Sequence, residues 1–372
     1  MYSTRPVRGA IAKRRLFERI ELLCECGAGL EAIASPLTVA VRDYLGALSG
    51  ALFWLDENGA PQGFYHDSAP AELKDLFITR LDELFVAPGQ ISMSSLAQIE
   101  GPSIGRALDP ETMRWFLSGN VYNYLCKPLG HYWMLDMRVE VDGVGRAVYC
   151  AWNPENTPFT AGDAEVLRPV QMLMQRAVRT QRADVAWRSL NDGSAQFIID
   201  EGGDKLIAID PEAEEVLMTS HLLRQRVSMT QQARQAPGFA KLLAQAVAAT
   251  GAGELALPVA DGRIIARAKR TRSVQRATPD GDMIVVSLDL QVAEDVLLVD
   301  HLVGLDLTPL QRRIALFAMR GGERAECVEH IGVSPEALKK HVRDICAATD
   351  STKWTDIQQV RERIPLQRLA YL

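Results

Sequence analysis

No stretch of this chain is apolar for long enough to cross a bilayer. The longest uncharged apolar runs, residues 44–55 and 242–253, fall short of the ~20 residues a spanning helix needs. The first residues, Met1-Tyr2-Ser3-Thr4-Arg5-Pro6, hold no signal-peptide apolar segment. The expectation is a cytoplasmic protein with no membrane partner. Cysteine is scarce. The six, Cys24, Cys26, Cys126, Cys150, Cys327 and Cys346, fit no disulfide framework or zinc spacing, so they are expected as buried thiols in a reducing compartment. Enzyme signatures are missing too. There is no Gly-x-x-x-x-Gly-Lys phosphate loop, no Gly-x-Gly-x-x-Gly dinucleotide turn and no Gly-x-Ser-x-Gly elbow, and the six scattered histidines give no metal-spaced pair. Catalysis is not expected, and no metal or nucleotide cofactor is implied.

What is present is ordinary for folded protein. The 372 residues are 47% hydrophobic and 24% charged, enough for two or three domains at roughly 100–200 residues each. The net charge of −6 is unevenly spread. Residues 305–372 carry 11 Lys and Arg against 9 Asp and Glu, a net of +2, whereas the remainder carries 30 against 38, a net of −8. The positive excess at the C-terminal end points there to a polyanionic partner.

Along the first half, Ala12, Leu16, Ile20 and Leu23 recur at helical spacing, and residues 30–46 read as a second helix. Strands are expected at 51–55 and 63–66 around the Asp56-Glu57-Asn58-Gly59 turn, and at 134–141 and 146–152 around Asp142-Gly143. Residues 71–119 read as helices and loops over the sheet, and 164–190 as one long helix, with Trp187 among its apolar positions and Pro169 near its start. Further on, strands at 196–199 and 205–209 flank Glu201-Gly202-Gly203-Asp204. Asp210-Pro211-Glu212 opens a helix, residues 238–250 form another, and strands follow at 253–259, 263–271 and 283–290.

The C-terminal segment carries the strongest pattern. Thr308 as N-cap and Pro309 at the first position open a helix whose Leu310, Ile314 and Phe317 form a core-facing stripe. Gly321-Gly322 ends it. Residues 323–331 form a short second helix with Val328 and Ile331 facing in. Gly332-Val333-Ser334 turns the chain, and Ser334 and Pro335 open a third helix over 335–347. There Leu338, Val342 and Ile345 share one face, while Lys339, Lys340 and Arg343 share the other. A helix dry on one side and cationic on the other suits a major groove. A fourth helix over 353–363 would pack Trp354, Ile357 and Val360 on the rest.

These residues resemble a LuxR-type helix-turn-helix domain. The family's Leu-Thr-Pro opening is Leu307-Thr308-Pro309, its glycine before the second helix is Gly321, and its Glu in that helix is Glu326. Its Leu-Gly-Ile-Ser turn is Ile331-Gly332-Val333-Ser334, and its Val-Lys-x-His-Val-x-x-Ile run is residues 338–345. The match needs no insertion or deletion and covers about one tenth of the chain. The closing hairpin, the Pro158-Phe159-Thr160 corner and the helix opening at Asp163 resemble a GAF domain, and the middle unit's order of strands and helices resembles a PAS domain. The implied fold class is α+β and multidomain, with antiparallel-sheet sensory domains ahead of an all-α four-helix domain. The implied divisions are a GAF-like domain over 10–190 ending in a long linker helix, a PAS-like domain over 194–293, and the helix-turn-helix over 303–372.

The resemblance implies a transcription regulator that binds double-stranded DNA, as a homodimer on a two-fold site, with RNA polymerase a further candidate partner. The implied contact residues are Ser334, Lys339, Lys340, His341 and Arg343. His341 borders the apolar face, where packing or capping competes with a DNA contact. A small-molecule effector is expected in the front domains, and its identity is not legible. Trp54, Phe64, Tyr65, Tyr122, Tyr124, Trp133 and Trp152 are either pocket-lining or core. No phosphoreceiver order of acids occurs, and Asn58 stands where an acyl-homoserine-lactone domain's Trp-x3-Tyr run would need tyrosine after Trp54. The sequence also departs from the LuxR-type pattern. Gln311 replaces the usual Glu of the first helix, Glu323-Arg324 the small polar start of the second, and Cys346-Ala347-Ala348-Thr349-Asp350 the basic, apolar end of the third. The alternative reading is therefore a degenerate helix-turn-helix protein that antagonises a regulator through protein contacts.

Overall fold

The computed structural model describes residues 9–59, 61–69, 101–182, 185–191, 194–220, 222–223, 234–259, 262–271 and 283–364. The reading of residues 71–100 as helices and loops lies outside them.

Two helices open the chain, α1 (Ala10–Glu25) and α2 (Gly29–Leu45). Gly46 ends α2 with a φ of 73°, donating back to the Arg42 and Asp43 carbonyls, the left-handed closure for which glycine is suited. Four antiparallel strands follow: β1 (Ser49–Leu55), β2 (Pro61–His66), β3 (Trp133–Val141) and β4 (Val144–Asn153), in the order β2-β1-β4-β3. Asp142 and Gly143 both take positive φ, 54° and 79°, as the two-residue hairpin turn requires. Between β2 and β3 lie a helical turn at Arg106–Leu108, helix α3 (Pro110–Ser118) and a wide turn at Tyr122–Cys126.

The alternation of the strands divides the front core in two. Leu52, Met137 and Tyr149 stand in one row across β1, β3 and β4 and pack among residues of α1 and α2. Ala51, Phe53, Val148, Cys150 and Trp152 belong to the opposite face, which Ala107, Leu125 and Cys126 cover. Helix α4 (Ala161–Arg179) joins the first side, its start closed by a reciprocal Thr160–Asp163 capping box. The expected continuation to residue 190 does not occur. α4 ends at Arg179, and Trp187–Ser189 forms strand β5, which pairs with the far end of β11 (Met283–Ala293). The Arg263 guanidinium lies 3.7 Å from the centre of the Trp187 ring. Strand pairing and this stacking outweigh helix propagation there.

The second sheet contains β6 (Ala195–Ile199), β7 (Lys205–Ile209), β8 (Arg234–Gln235), β9 (Ala252–Val259), β10 (Gly262–Thr271) and β11 in the order β8-β7-β6-β11-β10-β9. Helices α5 (Pro211–Thr219) and α6 (Phe239–Thr250) contribute to its core of Phe197, Phe239, Leu243, Val286 and Leu288. Asp210 caps α5 by accepting from the Ala213 N–H at 2.6 Å.

Five helices complete the described chain: α7 (Glu294–Gly304), α8 (Pro309–Met319), α9 (Arg324–Ile331), α10 (Pro335–Ala348) and α11 (Trp354–Arg363). α7 is buried through Val296, Leu297, Leu298, Val299 and Leu302. A helix apolar nearly all round belongs inside, and α7 packs on α1, α2 and α8. One apolar core accordingly runs without a break from Ile20 of α1 through Leu302 to Val360 of α11.

Candidate nucleic-acid interface

Each corner of the C-terminal helices is fixed by local chemistry. Thr308 and Gln311 cap α8 reciprocally. The Thr308 N–H donates to Gln311 Oε1 at 2.8 Å, and the Gln311 N–H donates to Thr308 Oγ1 at 3.3 Å. Gln311 therefore serves in the place of the expected Glu, and its Nε2 also donates to Asp344 Oδ2 of α10 at 3.1 Å. After α8, the chain passes under the Phe317 ring, where a Cβ on Gly322 would lie 2.2 Å from a ring carbon. The Gly322 carbonyl accepts from Trp354 Nε1 at 2.9 Å and Gln358 Nε2 at 3.2 Å, which pins α11 across the α8–α9 corner. In α9 the innermost residue is Cys327, fully buried, while Val328 and Ile331 are half-buried. Burial pushes the Cys327 thiol up to about 11.

Gly332 ends α9 with a φ of 74°, and Ser334 caps α10 by accepting from the Ala337 N–H at 3.2 Å. On α10, Leu338, Val342, Ile345 and Cys346 are buried, whereas Lys339, Lys340 and Arg343 are exposed. Among the described residues no carboxylate pairs with Lys339 or Lys340, and Arg343 has only its neighbour Asp344, at 3.7 Å. His341 is half-buried with Nδ1 unpartnered among the described residues, on the border between the two faces. The cationic surface is confined to one turn. Beyond it Cys346 turns inward, the Thr349 hydroxyl donates to the Ile345 carbonyl at 2.9 Å, and Asp350 leaves the helix with a φ of 48°.

The opposite side of the helical unit is bound to the front of the chain. Arg312 Nη1 meets Glu18 Oε2 of α1 at 2.6 Å, with side chains only 7% and 9% exposed. The same guanidinium donates to the carbonyls of Leu302 and Leu305, both at 3.1 Å. Glu25 pairs with Arg313 at 3.0 Å and with Arg176 at 2.7 Å. Asp295 pairs with Arg320 at 3.4 Å and with Arg182. Burial holds the Asp295 carboxyl above its ordinary value against the pull of Arg320 and Arg182. Arg19 pairs with Asp300 at 2.7 Å, and Arg188 Nη2 donates to the Arg361 carbonyl at 2.7 Å. Nothing local in the sequence marks these pairs, because the partners lie far apart in the chain.

The seven front-half aromatics do not converge. Trp54 and Tyr65 join the helix-side core, while Phe64, Tyr122 and Trp152 pack on the other sheet face. Trp133 Nε1 donates to the Glu155 carbonyl at 2.8 Å, and Tyr124 is 59% exposed. A feature the sequence reading missed is a trio of near-parallel rings, His66, His131 and Trp152, with centres 5.2–5.5 Å apart. Burial first, and then His66, pushes the His131 imidazole down to about 3. Among the described residues no group of His, Cys, Asp and Glu could hold a metal ion, and no helix is long and apolar enough to cross a membrane.

No family model matches this chain, and no curated protein matches it. Among solved structures, the phage VqmA–DPO complex is 15% identical over 47% of this chain and 85% of that one, with a TM-score of 0.20. The bacteriophytochrome RpBphP3 from the photosynthetic bacterium R. palustris is 13% identical over 74% of this chain and 61% of that one, with a TM-score of 0.26. At these scores neither likeness assigns a function to the chain.

Proposed function

We propose that this protein is a cytoplasmic transcription regulator that binds double-stranded DNA through a LuxR-type helix-turn-helix at α8–α11. In this reading α10 is the recognition helix, and the GAF-like and PAS-like units ahead of it sense a small-molecule effector. The observation that supports it most is the division of α10 into a buried face and an exposed face carrying Lys339, Lys340 and Arg343. Exposed cations on a rigid helix are the groups that phosphates and guanine edges recruit. In this reading Ser334, at the helix start, meets a phosphate together with the N-terminal turn of α10.

The test is binding of genomic DNA fragments by the purified protein at two salt concentrations, with Lys339→Ala/Lys340→Ala alongside. Saturable binding that both salt and the double substitution weaken supports the reading. Absence of binding by a folded dimer at low salt, with and without extracts of small metabolites, removes it. One observation favours a second reading. The end of α10 and the turn after it present Ala347 and Asp350 rather than cations, which suits a protein partner. An interface of that kind would bind a regulator with little salt dependence.

A further inference from the structure

We propose that Glu18 and Arg312 are positioning residues: their buried ion pair locks the C-terminal helices at one orientation on the front unit. In a dimer this lock would fix the spacing between the two DNA half-sites. The spacing consequence rests on the DNA-binding reading above, whereas the lock itself does not.

Arg312 is held from three directions. Glu18 comes from α1, Leu302 from the last turn of α7, and Leu305 from the residue that follows α7. Carbonyls at a helix C-terminus lack partners within their own helix, and a guanidinium fork supplies donors to several acceptors at once. The arginine thus ties two front-unit helices to the start of α8. Two flanking pairs continue the contact. Glu25 lies seven residues after Glu18, on the same face of α1, and meets Arg313. Asp295, at the start of α7, meets Arg320 at the other end of α8. The link from α7 to α8 leaves little slack, because only four residues separate Gly304 from Pro309 and Leu307 among them is buried. By contrast, no ion pair among the described residues joins α9 or α10 to the front unit.

A helix-turn-helix on a slack tether reads half-sites at several separations. One held rigidly reads the separation its body dictates, because half-sites must lie whole helical turns apart. The orientation set at Arg312 is therefore a determinant of specificity that touches no DNA.

The experiment measures that orientation directly. Spin labels go on cysteines introduced at Met172 and Gln359, both exposed, while the native cysteines are buried. The labelled chain with Glu18 and Arg312 intact is expected to give one narrow distance distribution. Arg312→Met leaves the Glu18 carboxylate only the exposed Arg14, at 3.0 Å, as a partner and is expected to broaden it at least twofold. Glu18→Leu/Arg312→Met removes both charges together, leaves no buried ion unpaired, and is expected to stay as broad as the single variant, because the lock itself is gone. Glu18→Gln, which keeps the side chain's shape, replaces Arg312→Met if the latter fails to melt cooperatively. A distribution as narrow in the single variant as in the parent overturns the lock. A double variant as narrow as the parent overturns the lock, because the breadth of the single variant then comes from its uncompensated buried carboxylate alone. In parallel, selection from DNA with randomised half-site spacing should yield one spacing for the parent and several for the broadened variant. One unchanged spacing from that variant overturns the specificity role. If the parent selects no DNA at all, the DNA-binding reading falls, while the distance measurement still decides the lock.

Discussion

At the scale of single residues, charge and burial decide what each group contributes. Lys339 and Lys340 stand exposed without carboxylate partners among the described residues, so their charge is available to phosphate. Each phosphate contact contributes about 0.9 to the slope of log affinity against log salt. Lys339→Ala/Lys340→Ala is therefore expected to flatten that slope by about 2, as a fluorescence-anisotropy titration at four salt concentrations would read. An unchanged slope would remove both lysines from the interface. His131 makes the opposite case, a group kept neutral. It is 2% exposed, and its imidazole is pushed from an ordinary 6.5 down to about 3. Below pH 6.5 the unfolded chain binds a proton there that the folded chain refuses. The stability this residue contributes is intact above 6.5 and is lost as pH falls toward 3. The loss approaches about 1.4 kcal/mol per pH unit once pH is well below 6.5. His131→Phe keeps a ring beside Trp152 and removes the titration. Urea unfolding at pH 7, 6 and 5 is expected to show a shallower decline for this variant than for the parent, and parallel declines would refute the assignment.

At the scale of elements, most local signals were legible and one class was not. Caps and turn glycines act within a few residues, so Thr308-Pro309, Gly332 and Ser334-Pro335 marked the boundaries of α8 to α10 in the sequence. Asp142-Gly143 and Asp210-Pro211 did the same for a hairpin and for α5. The apolar stripe of α10 identified its buried face for the same reason, since a period of 3.6 is a property of the segment alone. The end of α4 was hidden. Thr180 closes it without a glycine or proline, and the chain turns to strand because β11, a hundred residues later, supplies the pairing edge. The local signals also predict local costs. Ser334 supplies one acceptor to the first turn of α10, so Ser334→Ala should cost about 0.5–2 kcal/mol. Ser334→Asp should recover most of it, because it accepts the same bond and suits the helix N-terminus. Equal losses in both variants by chemical denaturation would show that the hydroxyl acts otherwise than as a cap.

At the scale of the whole molecule, the sequence divides where the packing does not. Composition and motif separate a C-terminal helical unit from the front of the chain. Yet the apolar core passes from α1 through α7 into α8 and α11, while the second sheet keeps a core of its own. Contacts between residues 18 and 312, or 25 and 313, are invisible to any reading that advances along the chain, because no local pattern encodes a partner some 290 positions away. Continuity of the core has a measurable consequence. Leu302 lies fully buried at the junction, and Leu302→Ala should cost about 2–5 kcal/mol in lost contact and residual cavity. If front and C-terminal helices form one cooperative unit, that cost falls on both, since amides open together when they share a core. Native-state hydrogen exchange should then show α1, α2 and α11 losing protection by the same free energy, with β6 and β10 of the second sheet losing less. Loss confined to α8–α11 would mean that the C-terminal helices unfold alone, with the interface too weak to couple them. Equal loss would mean that a change in the stability of α1 reaches α11 through packing, with no separate signal path required.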